Sequence, residues 1–273
     1  MHKKQIFVIV SIVALMAVLL SLDIKGLVKP KDIEDKSVNA ETKAEVLFNL
    51  ENEIQLSKKT LNAQQLQYVE RVEKKLDSDQ SSILNLAKAW DSVSGIGISA
   101  FYYEQLAQKT PTAINYLLAA DRFRDVTTGM QDSTRKLTFI NKAISLYNKA
   151  ILLEPKNSDA KTGLGVAYVN GTNNPMQGIT LLLDVVKQEP ENVNANLQLG
   201  LFSMKSGQHD KAVSRFTKVV NIAPTAEAYF YLGESYKNLG NKSEAKKAFL
   251  KCKEYIKDPE FKKGVDNYIN ELN

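Results

Sequence analysis

The sequence predicts an all-α solenoid of helix-turn-helix units, preceded by an N-terminal transmembrane helix and a helical stalk or cap. Three observations predict it. Four prolines, Pro155, Pro190, Pro224 and Pro259, recur at separations of 35, 34 and 35 residues. Between them the same small and aromatic residues return at the same offsets. Glycine and proline are scarce, 13 and 7 in 273 residues, which is too few for a turn-rich β fold.

The N-terminus comes first. Lys3 and Lys4 precede an apolar run from Ile6 to Leu22, 17 residues, at the lower edge of a bilayer-spanning helix. The run is apolar on every face, which argues against burial within a soluble fold. It ends Val18-Leu19-Leu20-Ser21-Leu22-Asp23, a poor cleavage site, and no cysteine follows to take a lipid. The expectation is a retained anchor over 1–22, with the N-terminus cytoplasmic and the remainder exported, periplasmic in a bacterium. The alternative is secretion after signal cleavage. Lys25, Lys29 and Lys31 on the far flank oppose the orientation.

Residues 23–41 hold Gly26, Pro30 and mixed charges without a period, and read as a linker. A helical pattern starts near Ala44 with Val46, Leu47, Leu50, Ile54 and Leu56. Another starts after Asn62, with Leu66, Val69, Val72 and Leu76 on one face and Gln65 placed for a capping box. Residues 42–78 are therefore a helical stalk or an N-terminal cap.

The periodic part follows. Each proline lies after an apolar helix-like segment, where it marks a repeated stop. Leu164-Gly165 with Tyr168 returns as Leu232-Gly233 with Tyr236, and as Leu199-Gly200 with Ser203 in the tyrosine's place. Gly207 and Gly240 mark turns; Ala212 and Ala245 follow, then Phe216 and Phe249. This pattern resembles the tetratricopeptide repeat (TPR) family, in particular a bacterial membrane-anchored TPR protein. The glycine and alanine suit close approach of two antiparallel helices, and the aromatic residues suit filling between repeats. Three clear repeats occupy 158–259. Two degenerate ones occupy 80–155, carried by Leu86-Ala87, Trp90, Tyr103 and Pro111, then by Tyr116, Ala119-Ala120, Phe123, Ala143, Tyr147 and Ala150. Near 126–137 an insertion of about eleven residues reads as a loop. Residues 260–273 read as a C-terminal capping helix.

The inventory offers little for catalysis. His2 precedes the apolar run, and His209 falls in the turn after Gly207. No nucleophile, base or paired carboxylates accompany either histidine. No cluster has metal-ligand spacing, so neither metal nor cofactor is expected. Gly163-x-Gly165 lies inside a helical pattern, not in a nucleotide loop. Cys252 is a small buried position. The net charge is +5, with 13 Lys/Arg against 7 Asp/Glu in residues 205–264. Without a basic face interleaved with aromatics, this describes a solvated surface and not a nucleic-acid site.

The resemblance implies a concave groove lined by the first helix of each repeat. Its expected positions are Thr162, Val166 and Val169, then Leu197, Leu201 and Lys205, then Phe230, Glu234, Lys237 and Asn238. Where a carboxylate clamp carries its lysines and asparagines, this sequence has Thr162, Leu197 and Phe230, and then Val166, Leu201 and Glu234. The sequence thus predicts a non-enzymatic, membrane-tethered scaffold for a protein or peptide partner, with no small-molecule substrate. A structural protein self-associating through 42–78 is the alternative.

Overall fold

The computed structural model describes residues 49–77 and 79–272, which belong to one compact unit. The expected anchor over 1–22 and linker over 23–41 lie outside the described residues. No helix among the described residues is long and apolar enough to cross a membrane.

Thirteen helices are described. A short pair comes first, α1 (Leu50–Lys58) and α2 (Ala63–Glu73). Five longer pairs follow. They are α3 (Gln80–Ser92) with α4 (Ile96–Lys109), and α5 (Ala113–Asp125) with α6 (Ser133–Leu153). Next are α7 (Ser158–Gly171) with α8 (Pro175–Gln188), and α9 (Val193–Lys205) with α10 (His209–Ile222). The last pair is α11 (Ala226–Asn238) with α12 (Lys242–Tyr255), closed by α13 (Pro259–Asn270).

Local chemistry sets the boundaries. Asn157, Asn192 and Thr225 follow the repeating prolines and cap α7, α9 and α11, each accepting from the backbone N–H three residues on. At α2 the capping box is formed by Asn62 and Gln65 in both directions, at 2.9 and 3.1 Å. Gly207 and Gly240 adopt φ of 74° and 76°, which reverses the chain between α9 and α10 and between α11 and α12 without Cβ strain.

Within the pairs, the mid-helix glycines leave room for a large side chain of the second helix. A Cβ on Gly200 would lie 2.6 Å from the Phe216 ring, and one on Gly233 would lie 2.7 Å from Phe249. At α7 and α8 the backbones themselves meet, Gly165 against Gly178. The phenylalanines therefore fill space inside their own repeat. They also reach the next one, Phe216 stacking on Tyr231 at 5.6 Å and Phe249 lying 5.5 Å from Tyr268. Among the described residues the core is divided into four clusters along the stack. Its largest segment runs from Val69 to Ala167 around Trp90, Phe123, Phe139 and Tyr147. Smaller segments centre on Leu182, Phe216 and Phe249.

Each helix packs on its successor from α2 to α13. In addition α5 touches α7, α7 touches α9, and α9 touches α11. Second helices of neighbouring pairs make no such approach among the described residues. First helices therefore line the inner face of the stack and second helices its outer face.

Three expectations are corrected. Residues 126–137 are not all loop: Asp132 caps a helix at Ser133 by accepting from the N–H groups of Thr134 and Arg135, so much of the insertion lengthens α6. Pro259 does not follow directly on a helix end as Pro155, Pro190 and Pro224 do. It opens α13, where its missing N–H is tolerated at the first turn. His209 begins α10 and is not in the turn before it. The helical pattern from Ala44 is described only from Leu50. Within 42–78, α2 buries Val69, and Leu50, Ile54 and Val72 pack half-buried on the first core segment.

Candidate functional site

The inner face changes character along the stack. Its N-terminal part carries charge. Ala119-Ala120 in α5 holds the register of Leu164-Gly165 in α7, so Asp121, Arg124 and Asp125 occupy the positions of Val166, Val169 and Asn170. They lie three and four residues apart, on one helical face. By the same register Asp91 of α3 matches Arg124.

These residues form one connected chain. Ser99 and Tyr103 of α4 donate to Asp91 at 2.5 and 3.2 Å. The Arg122 Nε donates to both oxygens of Asp91 at 2.9 Å and its guanidinium lies over the Tyr103 ring. Arg122 also reaches Asp125 at 3.7 Å. Arg124 pairs with Asp125 at 2.8 Å and Asp121 at 3.0 Å. The Tyr147 hydroxyl closes the chain, accepting from Arg124 at 2.8 Å and donating to Asp121 at 2.6 Å. Tyr147 comes from the second helix α6. Its ring passes where a Cβ on Gly163 would sit, 2.4 Å away. Burial pushes the Asp121 carboxyl up, against the lowering effect of Arg124 and of the Tyr147 hydrogen bond. Burial, then the Asp121 charge, holds the Tyr147 phenol well above its usual value.

Further along, the ten positions expected from the sequence are placed unequally. Thr162 is enclosed at 1% exposure and its hydroxyl finds no partner; Val166 is 9% exposed. Val169 turns toward α8, a methyl 2.7 Å from where a Gly178 Cβ would lie. Leu197 and Leu201 of α9 are half-buried on the α10–α11 core segment, and Lys205 is exposed beside them in sequence. Phe230 belongs to an aromatic cluster with Phe249 and Tyr268, its ring edge-on to Tyr268 at 5.0 Å. Lys237 pairs with Glu271 at 2.6 Å, lies over the Tyr268 ring, and stands 4.0 Å from Glu234. Burial raises the Glu234 carboxyl, with Lys237 opposing. Asn238 is exposed and donates to the Glu234 carbonyl. Helix α13 therefore engages Phe230 and Lys237, while Leu197, Leu201, Lys205 and Asn238 retain solvent contact.

Sequence reasoning passed over Asp91, Asp121, Arg124 and Asp125. Their signal was present: the offset that placed Val166 and Val169 also applies to the degenerate repeats. No group of acidic, histidine or cysteine residues among the described residues is arranged to hold a metal ion. The charged groups of the chain are paired with one another, Asp91 with Ser99, Tyr103 and Arg122, and Asp121 with Arg124 and Tyr147.

A tetratricopeptide repeat model matches residues 226–259, which span α11 and α12. No curated protein matches the sequence. The fold is similar to the crystal structure of a thermophilic TPR protein of Thermus thermophilus. That protein is 17% identical with a TM-score of 0.54, over 71% of this chain and 98% of the other. MamA matches at 22% identity and a TM-score of 0.47, over 64% of this chain and 91% of its own. YrrB, described as a TPR protein with an unusual peptide-binding site, matches at 20% identity and a TM-score of 0.44, over 73% and 97%. The described residues thus form an all-α helical repeat array of the TPR type.

Proposed function

We propose that this chain is a non-enzymatic scaffold that binds a segment of a partner protein along the inner face of its array. The observation that carries this reading is the two-part surface of the first helices. The half-buried charged chain of α3 and α5 gives way to the partly exposed apolar side chains Leu197 and Leu201 of α9. A peptide or helix offering polar groups at one end and apolar groups at the other matches both parts. Thr162 is too enclosed to take part, and Phe230 serves mainly to seat α13.

The second part of the proposal concerns place. The apolar run over 6–22 is read as a membrane anchor, with the array exported. Tethering would confine the groove to a surface and raise its effective concentration for partners held there. Assembly of an envelope complex is the proposed setting. Self-association through 42–78 is the second reading: Leu50, Ile54, Val69 and Val72 pack on the array's own core, which leaves Leu56, Tyr68 and Leu76 exposed for it.

Crosslinking in intact cells with mass spectrometry tests the groove. Leu201→Glu and Asp125→Lys should each deplete the same partners by about tenfold or more, as expected for disrupted central contacts. Retention of every partner by both variants would place binding elsewhere. N-terminal sequencing of the native protein tests the anchor: a mature chain beginning beyond Leu22 overturns it.

A further inference from the structure

We propose that α1 is a releasable strap, latched by Arg135 and Glu53 over a recess with an apolar floor and polar walls that include Ser57 and Ser94. Four observations lead there. First, α6 has 21 residues, whereas the second helices α8, α10 and α12 have 14 each. The added turns at its N-terminus carry Arg135, whose guanidinium meets Glu53 of α1 at 3.0 Å across 82 residues of sequence. The insertion thus has a partner, and the partner is α1.

Second, α1 is weakly held. It is nine residues long and has no buried residue. Leu50 and Ile54 pack half-buried on the core, and Lys58 pairs with Glu73 of α2. Third, a helix this short does not persist alone in water. It is either docked and folded or released and unfolded, so it is a two-state element. Fourth, α1 does not fill the space it covers. A recess of about 250 Å³ remains between α1, the α3–α4 turn and the start of α6. Its floor is Ile96, Ile98, Val126, Met130 and Phe139. That floor belongs to the array: Phe139 is held against Phe101 and Phe123 at 6.4 and 5.9 Å, independently of α1. Release of the strap therefore uncovers an apolar surface without dismantling the core.

The strap packs on α4, a second helix, on the face opposite the groove.

Hydrogen exchange on the full chain tests this. In the wild type, peptides covering 50–58 should exchange at least about tenfold faster than those covering 140–153, through local opening. Arg135→Glu replaces the ion pair by repulsion and should quicken exchange of 50–58 by about fivefold, the scale of a partly exposed pair, with 193–255 unchanged. Adding Glu53→Arg to it should restore the wild-type rate. Equal protection of 50–58 and 140–153 in the wild type would show that α1 opens only with the array. An unchanged rate in Arg135→Glu, or no restoration by the charge swap, would remove the latch.

Discussion

Single residues in this protein are constrained chiefly by how close two helices come. Gly163 and Gly264 are both helical glycines, yet their surroundings are opposite. A Cβ on Gly163 would meet the Tyr147 ring at 2.4 Å, whereas nothing lies within 4 Å of one on Gly264. Gly163→Ala should therefore destabilise the array by about 1–3 kcal/mol through overpacking. Gly264→Ala should stabilise it by up to about 1 kcal/mol through helix propensity. Chemical denaturation followed by circular dichroism reads both. A second residue-scale expectation concerns Asp121. Its folded-state pKa lies above the ordinary value of 3.8 because burial opposes its charge. The folded state therefore binds the proton more tightly than the unfolded one. The resulting stabilisation is complete below the ordinary value and is lost as pH rises through the raised one. The stability of the wild type minus that of Asp121→Asn should fall as pH rises from the ordinary value of 3.8 through the raised one. A difference that grows with pH would mean that Arg124 and Tyr147 outweigh burial.

At the scale of the element, the ends of the stack behave differently from its middle. Helix α13 covers the last pair with Val265, Ile269 and Leu272 set against Ala245, Phe249 and Cys252. Its outward residues Lys263, Asn267 and Asn270 are exposed and polar, which ends the stack. Burial holds the Cys252 thiol above its usual pKa. Deleting residues 259–273 should uncover Phe249 and Cys252 and lower the melting temperature. The same deletion should let a chromogenic disulfide label Cys252 at least about tenfold faster than in the full chain. Equal labelling rates would show that α13 does not shield α12. The α6 extension illustrates what periodicity misses. Thr127, Thr128, Gly129, Asp132 and Ser133 look like loop composition, and only the last two take part in starting a helix. The deciding feature is the cap at Asp132, together with a surface for Phe139 to pack against.

For the whole molecule, nearest-neighbour packing is the governing fact. Stability in such an array is close to a sum over pairs and their interfaces, so opening need not be global. The core segment from Val69 to Ala167 holds more large enclosed side chains than those around Phe216 and Phe249. Phe249→Ala, which removes a fully enclosed ring, should cost about 3–5 kcal/mol. It should speed hydrogen exchange in 226–272 while leaving 83–153 nearly as protected as before. Uniform loss of protection along the chain would show that the array opens as a single cooperative unit. The proposed binding surface belongs to this scale too, since the inner face is composed of side chains from different repeats.

Much of this was legible beforehand. The helices, their pairing, the turns at Gly207 and Gly240, and the need for small residues at Gly200 and Gly233 follow from a pattern that repeats; Phe216 and Phe249, expected between repeats, also fill space inside their own. Repetition lets local chemistry be checked against itself. The capping box at Asn62 and Gln65 was equally plain, because a cap acts within four residues. The N-terminal apolar run remains a statement about composition.

An α-helical repeat array, with the small and aromatic residues that pack each pair, is written in the sequence, because it depends on interactions only a few residues to one helical pair apart. Tertiary structure alone decided which inner-face positions stay accessible. Thr162 is enclosed, Phe230 is taken by α13, and Asp121, Arg124 and Tyr147 are joined into one network. It also decided that Arg135 meets Glu53. These outcomes depend on how closely successive pairs approach and on which distant segment lands beside them. Helical periodicity places a residue on a face, but it carries no information about what stands opposite.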